Sequence, residues 1–244
     1  MSKASESSNG LLALFAKPIQ DAGKRVRRFI EASAGRIRLT LGVEPLSFFY
    51  GHDRGLPICR HYLEQFLQEF AGDIRGHCLE FQSDLYATRF GGSAVTQLDI
   101  LHVDRSNPLA TIVADLTKSN DVPSDRFDCI ICTFVLHVIP DLDRAVADLH
   151  RILKPGGVLL VSVPHISMFA PQYHELWRFT PEGLHLALSR AFGAENVAVR
   201  AYGSSLTAAG QIRGLVPEEF TQAELDYQDE RFAVTVCGRA VKRS

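Results

Sequence analysis

The chain has 244 residues, 46% apolar and 22% charged, with 26 Lys and Arg against 28 Asp and Glu for a formal net charge of −2. That is enough for one large domain with a buried core, and it excludes a disulfide-built, fibrous or disordered chain. The near-neutral balance argues against a dedicated nucleic-acid binder, and no apolar run reaches the ~18–20 residues of a membrane helix.

In chain order, residues 1–10 read as a polar tail without the basic-then-apolar profile of a signal peptide. From Leu11 to Ala32, Leu12, Phe15, Ile19, Ala22, Val26 and Ile30 recur every three or four residues, a helical face with a break at Pro18. Lys24, Arg25, Arg27 and Arg28 lie opposite, with Arg36 and Arg38 beyond. Residues 1–50 hold eight bases and four acids, a local +4 that leaves −6 for the remainder. We read 1–50 as an N-terminal helical extension: a solvated face, a lid over an anionic ligand, a membrane-surface contact or a homodimer contact.

Residues 51–244 read as the main domain. Tyr62–Phe70 is a helix with Leu63, Phe66, Leu67 and Phe70 on one side. Short β-rich runs follow at His77–Phe81, Ala94–Leu101, Ala110–Ala114, Phe127–Cys132 and Gly157–Val163. A helix over Leu142–Leu153 is closed by Lys154-Pro155-Gly156-Gly157, and another spans Pro181–Phe192 behind a Thr180 cap. Val197–Tyr202 and Arg231–Val236 read as a closing antiparallel pair. This alternation predicts an α/β, Rossmann-like, doubly wound and mostly parallel sheet with helices on both faces and an antiparallel C-terminal strand.

The five cysteines are odd in number and scattered, which suits reduced thiols in a cytoplasmic protein. Cys129 and Cys132 form a CxxC inside a strand, where side chains three apart face opposite sides of the sheet, so no shared metal is expected.

In an open parallel sheet, ligands sit beyond the carboxyl ends of the strands. Glu80, Asp99 and Asp115 read as closing the first three strands, with Thr133 after the fourth and His165 after the fifth. Acids at neighbouring strand ends suit ribose hydroxyls and an exocyclic amine.

The stretch 124–137, with Phe127-Asp128 opening the fourth strand and Leu136-His137 just past it, followed by Leu153-Lys154-Pro155-Gly156-Gly157, resembles the class I S-adenosylmethionine-dependent methyltransferases. The resemblance covers roughly residues 70–200. Trp177-Arg178-Phe179-Thr180-Pro181-Glu182-Gly183 is similar to a methyltransferase type 11-like bacterial branch often found with glycosyltransferases, in which the likeness runs from Arg54-Gly55-Leu56-Pro57 to Glu224-Leu225-Asp226-Tyr227.

The resemblance implies S-adenosyl-L-methionine as cofactor. It places Glu80 and the 82–86 loop near the aminoacyl end, Asp99 on the ribose, Asp115 with the Leu116 amide on the adenine, and Thr133 near the sulfonium. Arg89 is a candidate clamp for the methionine carboxylate. One departure stands out: Gln82 occupies the position of the family's first loop glycine. A side chain there crowds the ligand or demands a shifted loop. Either Gln82, Ser83 and Tyr86 hold the cofactor, or binding is weakened or lost; retained binding is the favoured reading.

The implied reaction is in-line methyl transfer to a small acceptor, a sugar or other metabolite. His165, His137 and Tyr173 are the candidate catalytic residues, and His174 and Trp177 candidate substrate contacts. Two rivals are an intramolecular attack on the cofactor that releases methylthioadenosine, and a non-catalytic scaffold.

Overall fold

The computed structural model describes residues 42–243. The expected tail and the helix over 11–32 lie outside the described residues. Twelve elements organise the described part: α1 (Ile58–Glu69), β1 (Gly76–Phe81), β2 (Val95–His102), β3 (Ile112–Val113), β4 (Phe127–Thr133), α2 (Leu142–Ile152), β5 (Leu153–Pro164), α3 (Pro181–Phe192), β6 (Val197–Tyr202), α4 (Ser205–Arg213), α5 (Gln222–Asp226) and β7 (Thr235–Val241).

The strands form one sheet in the order β3-β2-β1-β4-β5-β7-β6. Strands β1 to β5 pair in parallel, and β7 runs antiparallel to both β5 and β6. The order reverses between β1 and β4, which opens a ligand crevice at the carboxyl ends of those strands.

Each face of the sheet has its own core. One joins Leu79, Ile130, Cys132 and Leu159 to Val146 and Leu149 of α2 and Leu184 and Leu188 of α3. The other joins Cys78, Cys129, Ile131 and Leu160 to Leu63, Phe66 and Leu67 of α1. Cys129 and Cys132 therefore do face opposite sides. A third cluster packs Ile58 and Tyr62 of α1 against Ala208, Leu215, Phe220 and Leu225.

Local chemistry sets the helix ends. The Asp141 carboxylate accepts the Arg144 N–H at 3.0 Å to start α2, and the Thr180 hydroxyl accepts the Gly183 N–H at 3.0 Å to start α3. Gly76 opens β1 at φ +70°, and a Cβ there would stand 2.5 Å from Asp128 Oδ2, so only glycine fits.

Three expectations shift. Strand β5 begins at Leu153, not Gly157: Leu153 pairs with Phe127, and Lys154–Gly157 bulge outward before Val158 pairs with Cys129. Strand β7 starts at Thr235 because Glu230–Phe232 form a short turn capped by Asp229. Helices α4 and α5 were not expected; weakly amphipathic, they are fixed by capping boxes at Ser204/Thr207 and Thr221/Glu224.

Candidate active site

The loop after β1 is shaped by a buried acid. Glu80 is almost fully enclosed, and its carboxylate accepts the backbone N–H groups of Tyr86 at 3.1 Å and Ala87 at 2.8 Å. Burial pushes its pKa up to about 7 against the lowering pull of those amides. Gln82 adopts φ +70°, the left-handed conformation that glycine takes most easily. Its carbonyl accepts a hydrogen bond from Asn107 Nδ2 at 2.7 Å, its side chain is exposed, and Ser83 N–H turns back to Phe81 O at 2.9 Å. The substitution thus keeps a glycine-like turn.

Tyr86 is buried, and its hydroxyl accepts from Arg60 Nη1 at 3.0 Å. The Arg60 guanidinium also lies 4.6 Å over the Phe134 ring. Phe134 sits at φ +51° directly after Thr133, the last residue of β4, which pairs with Ser162. The cation at the β1–β4 crevice is therefore Arg60, on the first turn of α1. No motif marks it; only the packing of α1 brings it here. Arg89 goes elsewhere: its Nη1 donates to Glu64 Oε1 at 2.5 Å on an exposed face.

Asp99 does not close β2. The strand continues to His102, three residues on, and the Asp99 carboxylate belongs to a cluster toward the amino ends of the strands. There it accepts from His77 Nε2 at 2.8 Å, Thr111 Oγ1 at 2.7 Å and Arg126 Nη2 at 2.6 Å. Burial raises its pKa, but these hydrogen bonds and the Arg126 charge outweigh it and hold the carboxyl below the usual range. The acid just beyond β2 is Asp104, which accepts from Ser106 N–H at 2.8 Å and lies 3.1 Å from His102 Nδ1. The sequence reading took Asp99 as the acid at this strand end, whereas Asp99 lies inside β2 and Asp104 stands two residues past its end.

Asp115 does follow β3. Its carboxylate accepts from Thr117 Oγ1 at 2.6 Å and pairs with Lys118 at 2.9 Å, and the Thr117 hydroxyl followed by Lys118 brings its pKa down to about 2. Leu116 beside it is buried in the core.

Beyond β4 and β5, a second group assembles around Glu175, which the sequence reading did not single out. Its carboxylate, 4% exposed, takes Arg178 Nη2 at 2.7 Å and Ala170 N–H at 3.2 Å. Tyr50 OH approaches at 3.4 Å and His137 Nε2 at 3.5 Å. Burial raises the Glu175 pKa, but Arg178 and the Ala170 amide outweigh it and leave it lowered. Burial near Glu175 pushes Tyr50 up to about 12.

His137 is enclosed, and burial brings its pKa down to about 4 despite the nearby Glu175 carboxylate. Its Nδ1 is buried with no hydrogen-bond partner. Its carbonyl accepts Leu176 N–H at 2.9 Å and Trp177 N–H at 3.1 Å, so the residue anchors the following loop.

His165 follows β5 and is half-buried. Its Nδ1 lies 2.7 Å from Phe179 O, a pure acceptor, so Nδ1 carries a proton, and Nε2 is the nitrogen that can accept one. Tyr173 and His174 occupy an exposed turn, His174 at φ +51°. Trp177 Nε1 donates to Ile139 O at 2.8 Å, which fixes the indole on one wall of a cleft of about 550 Å³ shared with Leu142, Arg178 and Leu186.

Comparison with known proteins bears on this arrangement. The methyltransferase domain family matches residues 59–234. The ubiquinone/menaquinone biosynthesis C-methyltransferase UbiE of Francisella tularensis subsp. tularensis is 45% identical over 56 residues, 22% of each chain. That of Marinomonas sp. is 41% identical over 56 residues, again 22% of each. The chain thus spans about a fifth of the length of these curated relatives.

Among solved structures, a S-adenosylmethionine-dependent methyltransferase from Mesorhizobium loti aligns with TM-score 0.50 and 15% identity over 75% of this chain and 100% of that one. One from Archaeoglobus fulgidus aligns with TM-score 0.50 and 11% identity over 75% and 94%. These likenesses show the fold. By its matching family, its strand order and the crevice between β1 and β4, the chain belongs to the methyltransferase domain family and has a Rossmann-like fold.

Proposed function

We propose that the protein transfers a methyl group to a hydroxyl or amine of a small acceptor, a sugar or other metabolite, with His165 as proton acceptor. The observation that carries this reading is the His165 hydrogen bond just past β5: the Phe179 carbonyl holds Nδ1–H, which leaves Nε2 as the nitrogen that can accept a proton. His137 is enclosed, and its role is to anchor the loop that bears Trp177.

The donor set suits the cofactor. Arg60 suits the methionine carboxylate, the Glu80-shaped loop its ammonium end, Asp104 the ribose hydroxyls, and Asp115 with the Leu116 amide the adenine. Ser83, Tyr86 and Thr133 are the further candidate contacts, on the loop after β1 and at the end of β4. Bound S-adenosylmethionine supplies a sulfonium methyl for in-line displacement. The chain orients the acceptor beside it, with Trp177, His174 and Tyr173 as its contacts. His165 Nε2 would take the proton that the acceptor oxygen or nitrogen gives up on methylation.

The left-handed turn at Gln82, a conformation suited to glycine, supports ordinary cofactor binding over an attack within the cofactor. The protein acts in the cytoplasm on a small molecule rather than a nucleic acid, and a homodimer remains compatible with this scheme. Among the described residues no helix is long and apolar enough to cross a membrane.

The test is product analysis with hydroxylated and amine acceptors. S-adenosylhomocysteine should accumulate, and His165→Ala should lower kcat about 100-fold or more while calorimetric cofactor affinity stays unchanged. Methylthioadenosine as product, or full activity of His165→Ala, overturns the proposal.

A further inference from the structure

We propose that the cleft between the starts of α2 and α3 holds the acceptor by a flat, apolar body, so that the acceptor is an aromatic hydroxyl or amine compound rather than a sugar. This rests on the methyl-transfer reading above and names the class of molecule that the site takes. The cleft measures about 550 Å³, within the range of small-ligand sites. Trp177, Pro140, Leu142 and Leu186 supply its walls, and Phe179 and Ala187 complete the apolar lining.

Two of these side chains are large, apolar and open to solvent: Trp177 is 42% exposed and Leu186 58%. The indole is fixed in place. Its Nε1 donates to Ile139 O at 2.8 Å, and the Trp177 backbone N–H donates to His137 O at 3.1 Å. With its N–H engaged inside the fold, the ring offers a face for stacking and no donor.

The polar side chains of the lining are engaged in the same way. Asp141 accepts the Arg144 N–H and Thr180 Oγ1 the Gly183 N–H, each at 3.0 Å. Asp143 pairs with Arg190, and Arg178 reaches Glu175 Oε2 at 2.7 Å. A polyol enclosed here would bring several hydroxyls against apolar walls and against polar groups that already have partners, which is costly. A flat ring instead exchanges water for indole and leucine surface.

The same backbone places the proton acceptor. Phe179 accepts His165 Nδ1–H at 2.7 Å through its carbonyl and donates its own N–H to Pro164 O at 3.3 Å. Cleft and histidine therefore share one peptide segment at the carboxyl end of β5. A phenolic hydroxyl, with a pKa of about 10 like that of tyrosine, yields its proton to an imidazole more readily than an alcohol does.

The experiment is calorimetry and Trp177 fluorescence on the full chain in the presence of S-adenosylhomocysteine, titrated with β-naphthol or with methyl α-D-glucopyranoside. β-Naphthol should bind and quench Trp177, the single tryptophan, and the glucoside should do neither. Leu186→Glu sets a charge on an exposed part of the wall and should weaken β-naphthol binding on the order of 10-fold with an unchanged thermal midpoint. Trp177→Ala should weaken it as much by calorimetry. β-Naphthol that fails to bind, or that binds Leu186→Glu as well as the unaltered protein, overturns the proposal. So does a glucoside that binds more tightly than β-naphthol. Binding is read without turnover, so its failure is distinct from a failure to form S-adenosylhomocysteine, which overturns methyl transfer itself.

Discussion

The two ends of the same sheet use carboxylates in opposite ways. At the amino edge, Asp99 accepts hydrogen bonds from His77, Thr111 and Arg126 within the fold. At the carboxyl edge, Glu80 spends its oxygens on backbone amides, while Asp104 stays exposed beyond β2. One end is satisfied internally and holds the fold together. The other shapes a loop and leaves groups for a substrate. An acid near a strand end therefore says little until its partners are known.

The sharpest way to break this contrast is Asp99→Ala. Removing the carboxylate strands His77 and Arg126 in a largely buried setting, so stability should fall by about 3 kcal/mol in urea titrations, with cofactor affinity of the folded fraction unchanged. Intact stability with lost cofactor binding would put Asp99 back in the site. Its pKa is lowered on folding, so its contribution is complete above the ordinary carboxylate range and is lost as pH falls through the lower folded value.

Asp104→Ala should do the reverse, raising the cofactor dissociation constant on the order of 10-fold by calorimetry with no shift in thermal midpoint. Glu80 tests the loop. Its folded pKa is raised to about 7, so the folded state retains a proton that the unfolded chain releases. Stability from this group is complete below the unfolded value and declines as pH rises toward 7. Glu80→Gln should flatten that slope in thermal melts between about pH 4.5 and 7.5. Smallest is Gln82→Gly: relief of the left-handed strain should raise stability by about 1 kcal/mol or less, with cofactor affinity unchanged in calorimetry.

The parallel sheet was legible because its signal is local: α3 and β6 end where periodicity and caps place them, and the CxxC faces follow from the two-residue period alone. The site was legible only in part. Gln82 was recognised as the odd residue in the loop, but its effect depends on φ, which composition does not encode. Asp99 sits inside β2 rather than at its end, and its partners His77, Thr111 and Arg126 come from other segments that the local sequence does not announce. Arg60 and Glu175 have no motif; they matter through contacts with Tyr86, Phe134, His137 and Tyr50, from distant parts of the chain. Helices α4 and α5 escaped notice because their capping boxes outweigh a weak apolar stripe.

The bracing of Tyr50 has a consequence in time. Arg54 donates to Gly214 O at 2.9 Å and Glu219 Oε1 at 2.7 Å, and Leu46 N–H to Arg213 O at 2.7 Å. Residue 54 thus waits for a partner 165 positions downstream. At roughly 5–20 residues per second of synthesis, that delay is on the order of 10–30 s. The loops after β1 and β2 emerge from the ribosome well before the segment around Tyr50 can be anchored. A nascent chain passes through an interval in which the β1 and β2 loops are made and residues 46–54 still lack their partners at 213–219.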